Sequence, residues 1–228
     1  MKELFTYFRS LFTPLIIRLY NQRLRRILTL IELKTKQNSN APVLLDLGCG
    51  GGNFSYALSS RFTTIGLDVT KNFKIKKKPK GLDFVLADLS SLPFRKDSAD
   101  IIISASVLEH IQKFDGVAKE IKDVLKKDAI FIAGYPVETR LFKFVWRLIN
   151  PSAFRCIDQR YWCDQHTDEQ ECYWESPHTH KKDYQTIRRE LRTHFQVLQK
   201  EKLLFNTLPD LFTYYECVKM LNKKIMRI

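Results

Sequence analysis

VLLDLGCGGGNFSYAL, residues 43–58, sets an apolar run directly against four glycines, Gly48 and Gly50 to Gly52. VLLDL (43–47) has the length and near-continuous apolarity of a strand buried on both faces. A helical pattern follows from Asn53 to Arg61. A strand that ends in glycines and feeds a helix exposes backbone N–H groups. The missing side chains let a ligand touch the main chain.

Working outward, the same rhythm repeats. Further short apolar runs are TTIGLD (63–68), LDFVLAD (82–88), ADIIISAS (99–106) and AIFIAGYP (129–136), with a second helical pattern at Val117 to Leu125. Strand and helix in alternation predict an α/β fold, a doubly wound, Rossmann-like, mostly parallel sheet. The segment VTKNFKIKKKPKG (69–81) is too short for a full crossover helix and predicts one turn or an irregular loop. After Pro136 the rhythm breaks: 137–150 reads as a helix, and 151–180 has no clear period. KKDYQTIRRELRTHF (181–195) reads as a helix, and FQVLQKEKLLF (195–205) and LFTYYECVKM (211–220) as two final strands.

Glycine spacing separates two ligand classes. Dinucleotide folds want G-x-G-x-x-G, but the sixth position from Gly48 is Asn53, and the pattern present is D-x-G-x-G-x-G from Asp46 to Gly52. S-adenosylmethionine is the other ligand held by this device. Asp68 ends the second run about 20 residues beyond the first glycine, where a carboxylate can accept from ribose hydroxyls. Asp88 ends the third run, where an acid can accept from an adenine amino group.

LLDLGCGGGNFS, IGLDVT, FVLADLSSLPF and ADIIISASVLEHI together resemble the successive motifs of class I S-adenosylmethionine-dependent methyltransferases, in the small-molecule group that includes quinone-biosynthesis enzymes. The resemblance covers about residues 42–136 well and the C-terminal strands more loosely. It implies a seven-stranded sheet whose last strand is antiparallel. It implies S-adenosylmethionine as cofactor, with S-adenosylhomocysteine as product. The cofactor-binding set it implies is Asp46, Gly48, Cys49, Gly50, Gly52, Asp68, Val69, Asp88, Leu89, Ser104 and Ala105. The glycines would line the methionine part, Asp68 the ribose and Asp88 the adenine. Ser104 and Ala105 would border the methyl. A small-molecule acceptor, lipid-linked or a glycan precursor, is the implied partner.

Methyl transfer from a sulfonium needs an acceptor placed in line at close range with water excluded. A hydroxyl acceptor must also lose a proton. Glu109 and His110 in SVLEHI, and His180 before the last helix, are candidate bases; helix capping or packing is the competing reading for the first two. Tyr135 is a further pocket candidate beside the reading of an ordinary residue at the sheet rim. Cys156, Cys163, His166, Cys172, His178 and His180 contain one plausible ligand interval, Cys163 to His166, but no paired C-x-x-C, so no metal is expected.

Lysine and arginine number 38 against 25 acids, a net charge of +13, which favours an anionic partner. The N-terminal segment (1–40) is read as an amphipathic helical unit ahead of a methyltransferase domain (41–228) with a lid insertion at about 137–180. Its apolar face either covers the substrate pocket or lies on a membrane, with Arg9, Arg18, Arg23, Arg25, Arg26, Lys34 and Lys36 meeting acidic lipid. An RNA or protein methyltransferase using the basic surface is the less favoured reading; for nucleic acid, neither the Asn/Asp-Pro-Pro-aromatic turn nor a Pro-Cys nucleophile follows the fourth strand. A non-catalytic cofactor-binding module is the reading outside enzymes. The five cysteines suggest no disulfide framework, and no apolar run reaches about 18 residues, so a cytoplasmic protein is expected, with the inner membrane face as the alternative.

Overall fold

The apolar runs become strands because helices cover both of their faces. The computed structural model describes residues 21–31, 41–71, 73, 77–137, 181–203 and 215–222. In chain order these form helix α1 (21–31), strand β1 (Val43–Leu47), helix α2 (Asn53–Leu58), and strands β2 (Thr63–Asp68), β3 (Leu82–Leu86) and β4 (Ala99–Ala105). A 3-10 turn (Leu108–His110) leads to helix α3 (Phe114–Val124) and strand β5 (Leu125–Pro136). Helix α4 (Tyr184–His194) and strands β6 (Phe195–Leu203) and β7 (Tyr215–Asn222) complete the fold.

The seven strands make one sheet in the order β3-β2-β1-β4-β5-β7-β6. The first five strands run parallel. β7 is antiparallel to both β5 and β6, as the expected antiparallel last strand requires. Strand order reverses between β1 and β4, and in open α/β sheets ligands bind at the carboxyl ends beside such a switch.

Alternation along each strand sorts the core into two layers. Leu45 and Leu47 join Phe114, Val117 and Ile121 of α3 and Ile187 and Leu191 of α4. Leu44 points the other way and joins Ile27, Leu30 and Ile31 of α1 and Leu58 of α2. The described part of the N-terminal segment thus buries its apolar face on the sheet. Two of its arginines also meet partners elsewhere in the fold: Arg23 lies 4.3 Å from the Tyr215 ring centroid, and the part-exposed Arg26 reaches Glu201 on β6 at 3.3 Å.

Several boundaries differ from the pattern in the sequence. α2 stops at Leu58 rather than Arg61, because the Ser59 and Ser60 hydroxyls donate to the carbonyls of Tyr56 and Ala57 at 2.7 and 3.0 Å. Such local side-chain bonds compete with helix continuation. β5 begins at Leu125, directly after α3, rather than at Ala129. Lys126 Nζ donates to both carboxylate oxygens of Asp100 at 2.8 and 2.9 Å, which holds this early stretch to β4. Asp128 takes a positive φ of 63°, and the β4–β5 register shifts between Ala99 and Ile101. The described residues between β2 and β3 contain no helix, and Phe73 from that link stacks on Phe84 with centroids 4.5 Å apart.

Residues 1–20, Lys34 and Lys36, the helix read at 137–150 beyond Val137, the Cys/His-containing stretch with its candidate ligands, and His180 lie outside the described residues.

Candidate functional site

Three glycines between β1 and α2 take left-handed backbone angles: Gly48 (φ 72°), Gly50 (φ 52°) and Gly52 (φ 83°). That is why they alternate. The turn between strand and helix takes three left-handed backbone angles, and only glycine adopts this region without cost. Their surroundings differ. A Cβ on Gly48 would lie 2.3 Å from Val107 Cγ2, whereas a Cβ on Gly50 would meet nothing within 4 Å. Gly48 is therefore needed for packing against the loop after β4, and Gly50 faces open space. The crowding at Gly48 comes from the protein itself, and the room for a ligand is at Gly50.

Asp68, at the end of β2, ties the loop down. Its Oδ2 accepts from Gly50 N–H at 2.8 Å, and its Oδ1 accepts from the Thr70 N–H and hydroxyl at 2.9 and 2.8 Å. A carboxylate offers about four lone-pair sites, so capacity for a further donor remains. Gly48 N–H and Cys49 N–H both donate to the Leu67 carbonyl, at 2.7 and 3.0 Å. Beside Asp68, Val69 and Leu86 are large apolar side chains left 65% and 56% exposed. Asp88 is exposed, and its Oδ1 takes the Ser90 N–H and hydroxyl at 2.7 and 2.6 Å. Those bonds hold its carboxyl below the usual range, so it is a permanent acceptor at neutral pH. Leu89 is partly buried against the α3 layer.

Asp46 works from beneath the loop. Its carboxylate is 2% exposed and accepts from the Ser55 hydroxyl at 2.6 Å. Burial pushes it up to about 6, against the lowering effect of the Ser55 bonds. Gly66 makes this possible, since a Cβ there would lie 2.8 Å from Ser55 Oγ and 2.7 Å from the Phe84 ring. Cys49 is half-buried. Burial first, then the Asp46 and Asp68 charges, push its thiol far above the ordinary range, so it stays protonated and is no nucleophile.

At the tip of β4, Ser104 is 1% exposed, and its hydroxyl has no hydrogen-bond partner among the described residues. Ala105 is partly buried and pairs with Gly134 of β5. Ser106 follows with φ 62°, a left-handed angle on a residue with a side chain. Its N–H donates to the Gly134 carbonyl at 2.8 Å. Its Oγ lies 3.0 Å from the Tyr215 hydroxyl and 3.4 Å from an Arg23 guanidinium nitrogen. Gly134 leaves the space for this, as a Cβ there would lie 2.7 Å from the Tyr215 hydroxyl.

The candidate bases separate. Glu109 is 2% exposed, and its carbonyl accepts from Lys181 N–H at 2.9 Å, tying the turn to the entry of α4. His110 is exposed on the same turn. Tyr135 is fully buried on the α4 side. It donates to Glu216 Oε1 at 2.5 Å, and Arg188 pairs with both oxygens of that acid. Its hydroxyl belongs to an internal polar network and not to the rim of the sheet. No group of side chains suited to a metal ion occurs among the described residues.

Arg23, Leu86, Ser106, Val107 and Tyr215 are the neighbours that sequence reading missed. Ser106 and Tyr215 are 109 residues apart, and no local pattern links them. Ser106 had one available signal, its place directly after the Ser104–Ala105 strand end.

Residues 45–133 match the family model described as a methyltransferase domain. An uncharacterised protein of Methanocaldococcus jannaschii is 35% identical over 98 residues, covering 41% of this chain and 40% of that protein. The ubiquinone biosynthesis O-methyltransferase of Pelagibacter ubique is 34% identical over 98 residues, covering 40% of each. The chain thus spans less than half the length of these curated relatives. Across the whole fold, the crystal structure of the PH0226 protein from Pyrococcus horikoshii OT3 aligns with a TM-score of 0.59 at 19% identity, covering 90% of this chain and 91% of that one. The matched domain runs from β1 into β5, and the Pyrococcus structure shares the fold around it; over this central part the chain is similar to class I S-adenosylmethionine-dependent methyltransferases.

Proposed function

We propose that the carboxyl ends of β1, β2 and β3 bind S-adenosylmethionine and that the chain methylates a small-molecule acceptor. One observation carries this reading: the open side of Gly50 lies on the same loop that Asp68 fastens, with exposed apolar side chains beside it. Bound there, the cofactor supplies a methyl group already activated by the sulfonium charge. Gly48, Cys49 and Gly52 shape the loop, and its open side at Gly50 receives the methionine part. Asp68 has capacity for one further donor, a ribose hydroxyl. Asp88 accepts from the adenine amino group, while Val69, Leu86 and Leu89 hold the ring by apolar contact. Asp46 supports the loop from below, and Ser104 and Ala105 border the methyl.

The acceptor approaches from the tip of β4. What the protein must do there is orient the acceptor atom and exclude water. Residues 1–40 and the insertion at 137–180 act as the lid that selects the acceptor. Glu109, His110 and His180 are the bases to test by alanine substitution.

A small molecule is favoured over a polyanion or a lipid surface because part of the N-terminal charge is already committed. Arg23 and Arg26 contact Tyr215 and Glu201 within the fold. No helix among the described residues is long and apolar enough to cross a membrane. We place the protein in the cytoplasm, where the cofactor is made and used.

The test is calorimetric titration with S-adenosylmethionine, S-adenosylhomocysteine and NADH, on wild type and Asp68→Ala. Binding of the two adenosyl ligands alone, weakened about 100-fold in the variant, supports the reading; a loss of that size matches one or two charge-assisted hydrogen bonds. Folded wild type that binds neither ligand leaves the non-catalytic module as the better account.

A further inference from the structure

Ser106 combines three features that packing alone does not call for. It holds a left-handed φ of 62° without being glycine. It directly follows the β4 tip and precedes Val107, which packs on Gly48. Its half-buried hydroxyl is shared with one cation and one fully buried phenol. Strained residues of this kind persist where the surroundings over-determine them, and they gather at functional sites.

The hydrogen-bond roles follow from chemistry. A serine hydroxyl has one proton and two lone pairs, and a guanidinium only donates. Arg23 therefore donates to Ser106 Oγ. Between the two hydroxyls, the phenol is the stronger acid and the better donor, so Tyr215 donates to the second lone pair. Burial keeps the Tyr215 proton on, with Cys217 and Glu109 adding to that effect and Arg23 opposing it. With Tyr215 as the donor of that pair, the Ser106 proton can be given to a ligand oxygen, polarised by the Arg23 charge.

We propose that Ser106, set by Arg23 and Tyr215, is an oxyanion-binding residue of the acceptor subsite, selecting a phenol or enol acceptor and holding its oxygen in the ionised form. The acceptor's O–H proton leaves to solvent, and the negative oxygen that remains accepts from the Ser106 hydroxyl in the field of Arg23. Preorganised donors aimed at developing charge are the strongest device proteins have for this. Ionisation is then achieved by electrostatics and needs no histidine base. Arg23 and Tyr215 act through Ser106 and are positioning residues. This inference rests on the cofactor reading above.

The experiment uses 4-nitrophenol, whose phenolate absorbs in the visible, titrated with pH in the presence of the full chain loaded with S-adenosylhomocysteine. Wild type should lower the pH at which the bound dye ionises by about one unit, equal to a tenfold preference for the phenolate. Ser106→Gly suits the left-handed backbone and removes only the hydroxyl. It should abolish most of the shift, as should Arg23→Gln, and Arg23→Lys should restore part of it. Tyr215→Phe should reduce it. Thermal melting and S-adenosylhomocysteine affinity, near wild type in Ser106→Gly, show that the fold and cofactor site persist. If the loaded wild type fails to bind the dye, or binds it with its free-solution titration, this inference alone is overturned. The same holds if Ser106→Gly and Arg23→Gln keep the full shift. If wild type binds no S-adenosylhomocysteine, the cofactor reading falls and this inference with it.

Discussion

Val107 occupies the volume that a side chain at Gly48 would need, with its Cγ2 2.3 Å from the position a Cβ would take. The glycine loop after β1 and the loop after β4 are thereby locked together at the switch point of the sheet.

Gly48→Ala should destabilise the protein by about 2–4 kcal/mol, combining a left-handed backbone with overpacking. Gly50→Ala has no steric neighbour and should cost about 1 kcal/mol through its backbone angle alone. Urea denaturation of both checks the contrast. Adding Val107→Ala to Gly48→Ala should recover part of the loss and none of the loss at Gly50. Equal costs at the two glycines would contradict the packing role of Gly48.

Asp46 gives a pH dependence with a defined sign. Its carboxyl is raised from 3.8 to about 6, with burial the largest cause. The folded state therefore holds this proton more tightly than the unfolded state does. The resulting stability is fully present below about 4 and is lost as pH rises through about 6. At pH 7 the ionised, buried carboxylate costs on the order of 3 kcal/mol. Asp46→Asn keeps an acceptor for Ser55 and removes the charge. It should be more stable than wild type above pH 6, by roughly 1–3 kcal/mol, with the difference vanishing toward pH 4. Denaturant titrations at three pH values measure it, and a constant difference at all three would contradict the assignment.

Glu216 is fully buried between Arg188 and the Tyr135 hydroxyl. Glu216→Gln removes the buried negative charge that Arg188 and Lys200 face and should destabilise by about 3–5 kcal/mol. Tyr135→Phe removes one neutral donor and should cost about 1–2 kcal/mol. Both should leave S-adenosylhomocysteine affinity unchanged when measured below the melting transition. A loss of affinity without a loss of stability would return Tyr135 to the pocket.

Ile27 on α1 is 1% exposed within the core layer that contains Leu44 and Ile103. Ile27→Ala should cost about 2–4 kcal/mol by opening a cavity. A helix lying on a membrane would show no such effect on the melting temperature in lipid-free buffer.

The central half of the chain was legible because its signals are local. Val43–Leu47 and Thr63–Asp68 match their strands residue for residue, since a strand covered on both faces reads as a short, largely apolar run bounded by turn residues. The alternating glycines announced a tight turn, as no other residue adopts three left-handed angles in five positions. Tertiary structure decided what fills each glycine. Whether Val107 or empty space lies beyond Gly48 and Gly50 depends on how β4 is placed beside β1. It also decided that Tyr135 belongs to Glu216, that Arg23 and Arg26 meet Tyr215 and Glu201, and that Ser106 meets Tyr215. Each of these pairs joins residues far apart in the chain. Burial, which sets their charge states and hydrogen bonds, exists only once the sheet has brought them together.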